Sequence, residues 1–449
     1  MLAPSSARVR PSPRKWCGRP VWVDTLDAMT DLALSRRVSG LKPSITVAFT
    51  NRAKQMRREG KDVLIFAAGE PDFDTPQPIK QAAKEALDAG QTKYVQTLGD
   101  PETRAAIAEK LTRENGIPGL TGDHVAISAG GKHGLFVAMH ALLDPPEPGE
   151  APWEVVLPSP TWVSYRPIAE LAGGRVVEVP AGPEADFRAS AEQIAAAITP
   201  RTRMVVLCTP SNPCGTQYPE ADLRAIAQVI RDKAAAVAPQ MVLFVDEMYE
   251  KIVYGGIDHF SVGSIPDVAE RTITLNGLSK AYAMTGWRIG YTAMPGDFGA
   301  RFIKSMGTLQ GQMTTNITSF NYPAVRRALT DPAVADEVER MRRAFAERAE
   351  LVHGLLSEIP GVKCPRPTGA FYVFPDVSEL LGKTSPGGAS IETALDLCNA
   401  LLDEAGVALV PGDDFGGCGP RCVRISFACD EQTIRDGMAR LGDFASTLR

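Results

Sequence analysis

A chain of 449 residues, 44% hydrophobic and 22% charged, has the composition of a soluble globular protein with enough apolar residues for a large core. Its length suggests two or more domains, or one large domain with a satellite. Forty-eight Lys and Arg against 53 Asp and Glu leave a formal charge of −5, which favours neither nucleic acid nor anionic membranes as partners, and no apolar run reaches the length of a membrane span.

Up to Val23 the chain carries Arg8, Arg10, Arg14, Lys15 and Arg19 and no acidic residue. That is the composition of a transit peptide, although the long apolar core of a secretory signal is missing. The reading preferred here is an over-extended start, because Met29 directly precedes the first patterned segment. Residues 1–28 are therefore set apart as a basic tail.

From Val125 to Met294 short apolar runs alternate with helical patterns. Strands are expected at Val125–Ala129, Trp153–Leu157, Met204–Cys208, Met241–Val245 and Thr272–Leu275, with helices between them, as at Glu220–Ala235. This βα alternation predicts a parallel sheet covered on both faces, whose ligands gather beyond the carboxyl ends of the strands. After about Asn321 the pattern changes. A charged helix over Ala333–Leu356, a strand containing Gly369-Ala-Phe-Tyr372, another helix, a strand over Arg421–Phe427 and a final helix read as a smaller α+β unit. Pro145–Gly149 and Ser385–Gly388 are loops by composition. Eight cysteines are scattered along the chain. Only Cys418 and Cys422 approach metal-ligand spacing, with no histidine near them, so the thiols read as reduced in a cytoplasmic protein without a metal.

The strand ends carry the chemistry. Gly130-Gly131-Lys132 opens a helix where backbone amides and the helix N-terminus can meet an anion, although many such turns are glycine-rich for steric reasons alone. Trp162, after the next strand, could stack on a flat ring, but a single tryptophan is more often core. Asn212-Pro-Cys-Gly215 follows a third strand and reads equally well as a structural turn. Asp246 ends an apolar strand, where a buried carboxylate needs a partner such as a cationic ring nitrogen or a metal. Lys280 and Arg288 stand eight positions apart in a mostly small or apolar segment; lysines usually lie on surfaces, but a desolvated one becomes an amine nucleophile, and the arginine suits a phosphate, which it can grip with two N–H groups. Five such features at successive strand ends are hard to explain as packing.

These motifs occur in order with Ala68-Gly-Glu-Pro-Asp-Phe-Asp-Thr-Pro76, Lys93-Tyr94, Asp246-Glu-x-Tyr249, Ser279-Lys280-x-x-x-Met-Thr-Gly-Trp-Arg288, Gly369-Ala-Phe-Tyr372 and Val423-Arg424-Ile-Ser. As a set the chain resembles the class I, fold-type I aminotransferases, in the branch of aspartate and prephenate aminotransferases, from about Leu32 to near the C-terminus. The resemblance implies an α/β fold with a mostly parallel seven-stranded sheet in a large domain, residues 67–324, and a smaller α+β domain made of residues 29–66 and 325–449. It implies pyridoxal 5′-phosphate as cofactor. Lys280 would hold it covalently and move the proton between the substrate α-carbon and the cofactor, and Asp246 would keep the ring nitrogen protonated. Asn212 and Tyr249 would bond the phenolic oxygen, and Trp162 would stack on the ring. Arg288, Ser279 and the amides of Gly131 and Lys132 would hold the phosphate, and Tyr94 would reach the phosphate of a neighbouring subunit in a homodimer. Arg424, with the Gly69 backbone, would grip the substrate α-carboxylate. Thr46 in Lys42-Pro-Ser-Ile-Thr46 and Lys132 are associated in this branch with dicarboxylate recognition.

The expected activity is amino transfer between amino acids and 2-oxo acids, on dicarboxylic substrates (aspartate, glutamate, 2-oxoglutarate, oxaloacetate) with prephenate also in view. The alternatives are alanine or aromatic substrates, or a lyase of the same fold. A regulator of this fold is set aside, because the segment before Leu32 is too short for a DNA-binding module. The chain departs from the pattern at Gly277, where many relatives have a phosphate-binding serine, at Cys214 in place of threonine and at Thr103 in place of leucine.

Overall fold

A computed structural model describes residues 34–41 and 45–449. The basic tail, Met29 and Lys42–Ser44 lie outside the described residues. Packing divides the chain into two units, Met1–Lys42 and Pro43–Arg449. In the first, the described element is one short helix, Arg36–Ser39; everything below belongs to the second.

Its centre is a seven-stranded sheet. The strands are β1 (Val125–Ala129), β2 (Glu154–Ser159), β3 (Arg175–Pro180), β4 (Thr202–Cys208), β5 (Val242–Asp246), β6 (Thr272–Gly277) and β7 (Ile289–Ala293), in the order β1-β7-β6-β5-β4-β2-β3. All pairs are parallel except those of β7, which runs antiparallel to both β6 and β1. The purely local reading of a parallel sheet is thus corrected at one strand, and the mostly parallel seven-stranded sheet implied by the resemblance is what the chain forms. The reversal follows Arg288, whose backbone is left-handed at φ +60°.

Burial on both faces explains why the central strands read as apolar runs. Val155, Leu157, Met204, Val206, Val242 and Phe244 pack under the helices Gly131–Leu142 and Gly296–Gly311. Their neighbours Val156, Val205, Leu207, Leu243 and Val245 pack under Ala191–Ala197 and Glu220–Ala236. Successive residues alternate between the two cores, as the pleat requires.

The C-terminal part holds a three-stranded antiparallel sheet, β8 (Tyr372–Val373), β9 (Val410–Pro411) and β10 (Val423–Ser426), in the order β9-β10-β8. The charged helix runs from Pro332 to Ser357, capped by Asp331, whose carboxylate accepts the Ala333 amide at 2.9 Å. The last helix, Glu431–Thr447, is capped by Asp430 in the same way and shares one apolar core with it. No helix among the described residues is long and apolar enough to cross a membrane.

Candidate active site at the carboxyl ends of the strands

Residues after β1, β4, β5 and β6 meet at one end of the sheet. The helix Gly131–Leu142 begins at Gly130, where φ is +85° and an added Cβ would run into the Arg288 guanidinium. Glycine therefore lets Arg288 lie across the helix N-terminus, with Nη1 donating to the Thr285 carbonyl at 3.0 Å and Nη2 to that of Ala129 at 3.4 Å. A guanidinium beside the amides of a helix start is an anion site. Lys132 adds a third positive element: its Nζ stands 5.1 Å from the centre of the Trp162 ring. Packing around that ammonium, and then the Arg288 charge, lower its pKa, although much of the side chain faces solvent.

Asp246 closes β5 and is 5% exposed. Its Oδ2 accepts the Tyr165 hydroxyl at 2.8 Å and its Oδ1 the Met248 amide at 3.1 Å. Burial pushes its pKa up to about 6, against those two hydrogen bonds, and the Glu247 charge adds to the rise. A cation at this carboxylate would reverse that shift. Lys280 follows β6, and its Nζ donates to the Gly69 carbonyl at 2.7 Å. Burial pulls its pKa down to about 8; Glu70 opposes the fall, and Arg424 and Arg288 add to it. Ser279 beside it is buried.

Arg424 rises from β10 and is 3% exposed. It donates to Asn212 Oδ1 at 3.0 Å and to the Ala67 carbonyl at 3.1 Å, and its guanidinium lies 4.8 Å from the Tyr372 ring and 5.4 Å from that of Phe415. Its Nε is buried with no hydrogen-bond partner, and among the described residues no carboxylate lies within ion-pair distance. Burying a charge without a counter-ion is costly, so this side chain is built for an anion from outside. Tyr249 and Tyr372 touch hydroxyl to hydroxyl at 3.1 Å.

The fold thus brings together Lys132, Trp162, Asn212, Asp246, Tyr249, Ser279, Lys280, Arg288, Arg424 and the backbones of Gly69 and Gly131. Two expected residues come from segments before β1. Thr46 is half-buried on the first turn of the helix Ile45–Arg58, where its carbonyl accepts the Thr50 hydroxyl. Tyr94 is 86% exposed. At Gly277 an added Cβ would lie 2.7 Å from the Ile289 carbonyl oxygen, so a serine there would need the backbone to move. Thr103 is occupied in a network with Asp100 and Arg326.

Three contributors escaped the sequence reading. Tyr165 holds Asp246 but looks like any core tyrosine. Tyr372 and Phe415 flank Arg424, and only Tyr372 lies in a recognised motif. A further cluster sits behind Asp246. Glu247 and Glu250 meet Lys110 and Asn115 from the helix Pro101–Asn115, together with Ser261 and His259. His259 Nε2 lies 3.3 Å from Glu247, within ion-pair distance but not aligned to donate a hydrogen bond. Burial alone would lower the His259 pKa, yet Glu247 and then Glu250 raise it. The Glu250 carboxyl is pulled down to about 2 by Lys110 and His259 in spite of its burial.

The family described as aminotransferase class I and II matches residues 61–441. An aspartate/prephenate aminotransferase of Cereibacter sphaeroides is 44% identical over 92% of this chain and 99% of its own. One of Thermus thermophilus is 42% identical over 91% and 97%. Among solved structures, an aspartate aminotransferase of Rhizobium meliloti is 40% identical and superposes with a TM-score of 0.85 over 93% of this chain and all of its own. The Thermus thermophilus enzyme solved with maleate gives 0.82 at 40% identity, over 92% and 100%.

Proposed function

The chain belongs to the class I and II aminotransferases and is a transaminase, and from that premise we propose that it uses pyridoxal 5′-phosphate to move amino groups among dicarboxylic substrates. Aspartate, glutamate and their 2-oxo acids come first, with prephenate as a further acceptor. The observation that carries this reading is the convergence of Lys132, Lys280, Arg288 and the carboxylate-free Arg424 on one site, with Asp246 at its base. Such a site needs anions, and a phosphate together with two substrate carboxylates supplies them.

The donor set fits the cofactor. Arg288, Ser279 and the amides of Gly131 and Lys132 suit its phosphate. Asp246 suits its ring nitrogen, because a cation there relieves a carboxylate whose pKa burial has raised to about 6. Asn212 and Tyr249 suit its phenolic oxygen, and Trp162 its ring face. When bound, the cofactor supplies a protonated ring that takes up the electron pair left as the α-proton departs. Lys280 carries the cofactor and then holds the proton removed from the substrate α-carbon. Its desolvation, with the pKa near 8, makes a neutral amine available for both tasks. Arg424, braced between Asn212 and the Tyr372 ring, orients the α-carboxylate with help from the Gly69 backbone.

We assign recognition of the second carboxylate to Lys132, supported by the direction of its ammonium toward Trp162, with Thr46 as a further contributor from the N-terminal segment. Lys132→Ala is expected to lower kcat/KM for aspartate about 10- to 100-fold, the range for losing one charged hydrogen bond, and that for alanine or phenylalanine far less. Steady-state kinetics on purified variants decides the matter. An equal loss for all three donors would confine Lys132 to the cofactor, and a wild-type preference for alanine or aromatic donors would reject the dicarboxylate reading.

We further propose a cytoplasmic homodimer with shared sites. The free cysteines support a reducing compartment, and the 86% exposure of Tyr94 supports a role on a neighbouring subunit. Light scattering should give a dimer, and Tyr94→Phe should weaken cofactor retention. A fully active monomer would overturn the shared site.

A further inference from the structure

We propose that Cys418 and Cys422 form a peroxide-oxidisable dithiol that closes to an intramolecular disulfide behind the substrate arginine. The two cysteines flank the turn Gly419–Arg421, and their sulfurs lie 3.9 Å apart. Forming the bond, about 2.05 Å long, asks them to approach by about 1.9 Å. Their settings differ in the way a reactive pair requires. Cys418 is half-exposed and can meet a small oxidant, whereas Cys422 is fully buried and is reached through Cys418.

The Cys422 thiol donates its hydrogen to Cys418, which lowers the Cys418 pKa against the effect of burial, and the Arg421 charge adds to the lowering. Arg421 is shared with Asp376, 3.0 Å from its Nε, which opposes that effect. The same hydrogen bond, together with burial, raises Cys422. Cys418 is therefore the sulfur that attacks and Cys422 the one that resolves.

The chemistry balances with hydrogen peroxide as oxidant. The Cys418 thiolate attacks one peroxide oxygen, the O–O bond breaks, and hydroxide leaves, giving a sulfenic acid on Cys418. The Cys422 sulfur then attacks the Cys418 sulfur, the S–O bond breaks, and water leaves with the Cys422 proton. Two thiols lose two electrons in total, and the peroxide gains them. A small-molecule dithiol such as dithiothreitol reverses the step by exchange.

The location gives oxidation a consequence for the site, and this part rests on the proposed role of Arg424. Cys422 leads directly into β10, two residues before Arg424. The thiols share one apolar cluster with Ala67, whose carbonyl holds Arg424, and with Phe415, whose ring faces the guanidinium. Gly412 and Gly419 pack backbone to backbone, since a Cβ on either would strike the carbonyl oxygen of the other. Tightening the Cys418–Cys422 turn therefore presses on the turn that carries Phe415. Phe415 in turn is tied by its carbonyl to the Thr161 amide at 2.8 Å, next to Trp162.

The experiment treats the holoenzyme with hydrogen peroxide, counts thiols and maps disulfides by mass spectrometry under non-reducing conditions. The expected result is a fall of two from the eight thiols, a Cys418–Cys422 linkage, full reversal by dithiothreitol, and loss of the reaction in Cys418→Ser. Cys214, a third thiol in the cluster, should be dispensable, so Cys214→Ser should still form the linkage. Oxidation of Cys418 to sulfinic acid without a linkage, a Cys214–Cys418 linkage, or an unchanged thiol count would each overturn the proposal. The oxidised enzyme should also show a KM for aspartate raised about five- to tenfold with kcat little changed, the low end for coupling between linked sites. An unchanged KM in fully linked enzyme would overturn the coupling to Arg424 alone. The thiol map decides the dithiol whatever the substrate proves to be.

Discussion

Lys280→Ala is expected to abolish the visible absorbance of covalently held cofactor and to lower turnover by about 10⁴-fold or more. On the proposed assignment two contributions are lost together: the amine that would bind the cofactor, and the group that would carry the α-proton, the latter worth roughly 10²–10⁴ by itself. The surroundings of this lysine suit both proposed tasks. Its Nζ has one hydrogen bond, to the Gly69 carbonyl at 2.7 Å, and burial brings its pKa down to about 8. At that value about a tenth of the amine is neutral at pH 7, against less than about a thousandth for a surface lysine near 10.4. Lys280→Arg should be as inactive as the alanine variant, because a guanidinium keeps its proton and cannot attack a carbonyl. The fold should survive either change, so far-UV circular dichroism should match the wild type. Retained absorbance, or turnover within tenfold of the wild type in Lys280→Ala, would reject the assignment.

Asp246→Asn should bind the cofactor yet lose about 10³-fold or more in rate, as expected when a preorganised charge at the reacting system is removed. The asparagine keeps the shape of the side chain but no longer favours a proton on the ring nitrogen. After cofactor removal the same substitution should change stability in a defined pH window. Burial has raised the folded-state pKa of Asp246 from 3.8 to about 6, so between those values the native state binds more protons than the unfolded one. Stability must then fall as pH rises through that window, by on the order of 3 kcal/mol for a shift of this size. The asparagine variant should lack this contribution, which is measured by urea denaturation of the stripped protein at pH 4, 5, 6 and 7. Near-normal turnover would reject the catalytic assignment, and an identical pH profile in the two proteins would reject the buried, raised carboxyl.

The strand ends were legible in the sequence because β1, β2, β4, β5 and β6 are buried on both faces, which leaves continuous apolar runs ending in glycine, proline or a charge. The edge strand β3 escaped because most of its residues are only partly covered. The strand β7 escaped because Ile289-Gly-Tyr-Thr-Ala293 merges with the Arg288 motif and carries a glycine. The reactivity expected of Lys280 and the need of Asp246 for a partner came from elementary electrostatics. The roles proposed for Asn212 and Tyr249 came from the family resemblance alone, since a turn and a core tyrosine explain them equally well. No local signal marked Tyr165, because its partner lies 81 positions away and only the folded sheet joins them. Glu247 and Lys110 were invisible for the same reason: neighbours in sequence do not disclose a charge cluster built from two distant segments.

That buried cluster also limits how the chain can drift over generations. Glu247 and Glu250 are matched by Lys110 and His259, and Asn115 bonds both carboxylates. Losing any one charged member strands the others, at roughly 3–5 kcal/mol for a broken buried pair, against a total stability of about 5–15 kcal/mol for a folded protein. Single steps away from this arrangement would therefore remove a large share of that stability, whereas concerted replacement of a pair by apolar residues is open. The helix Pro101–Asn115 and the turn after Asp246 are thereby coupled, and a chain altered at Lys110 should need a compensating change at Glu250.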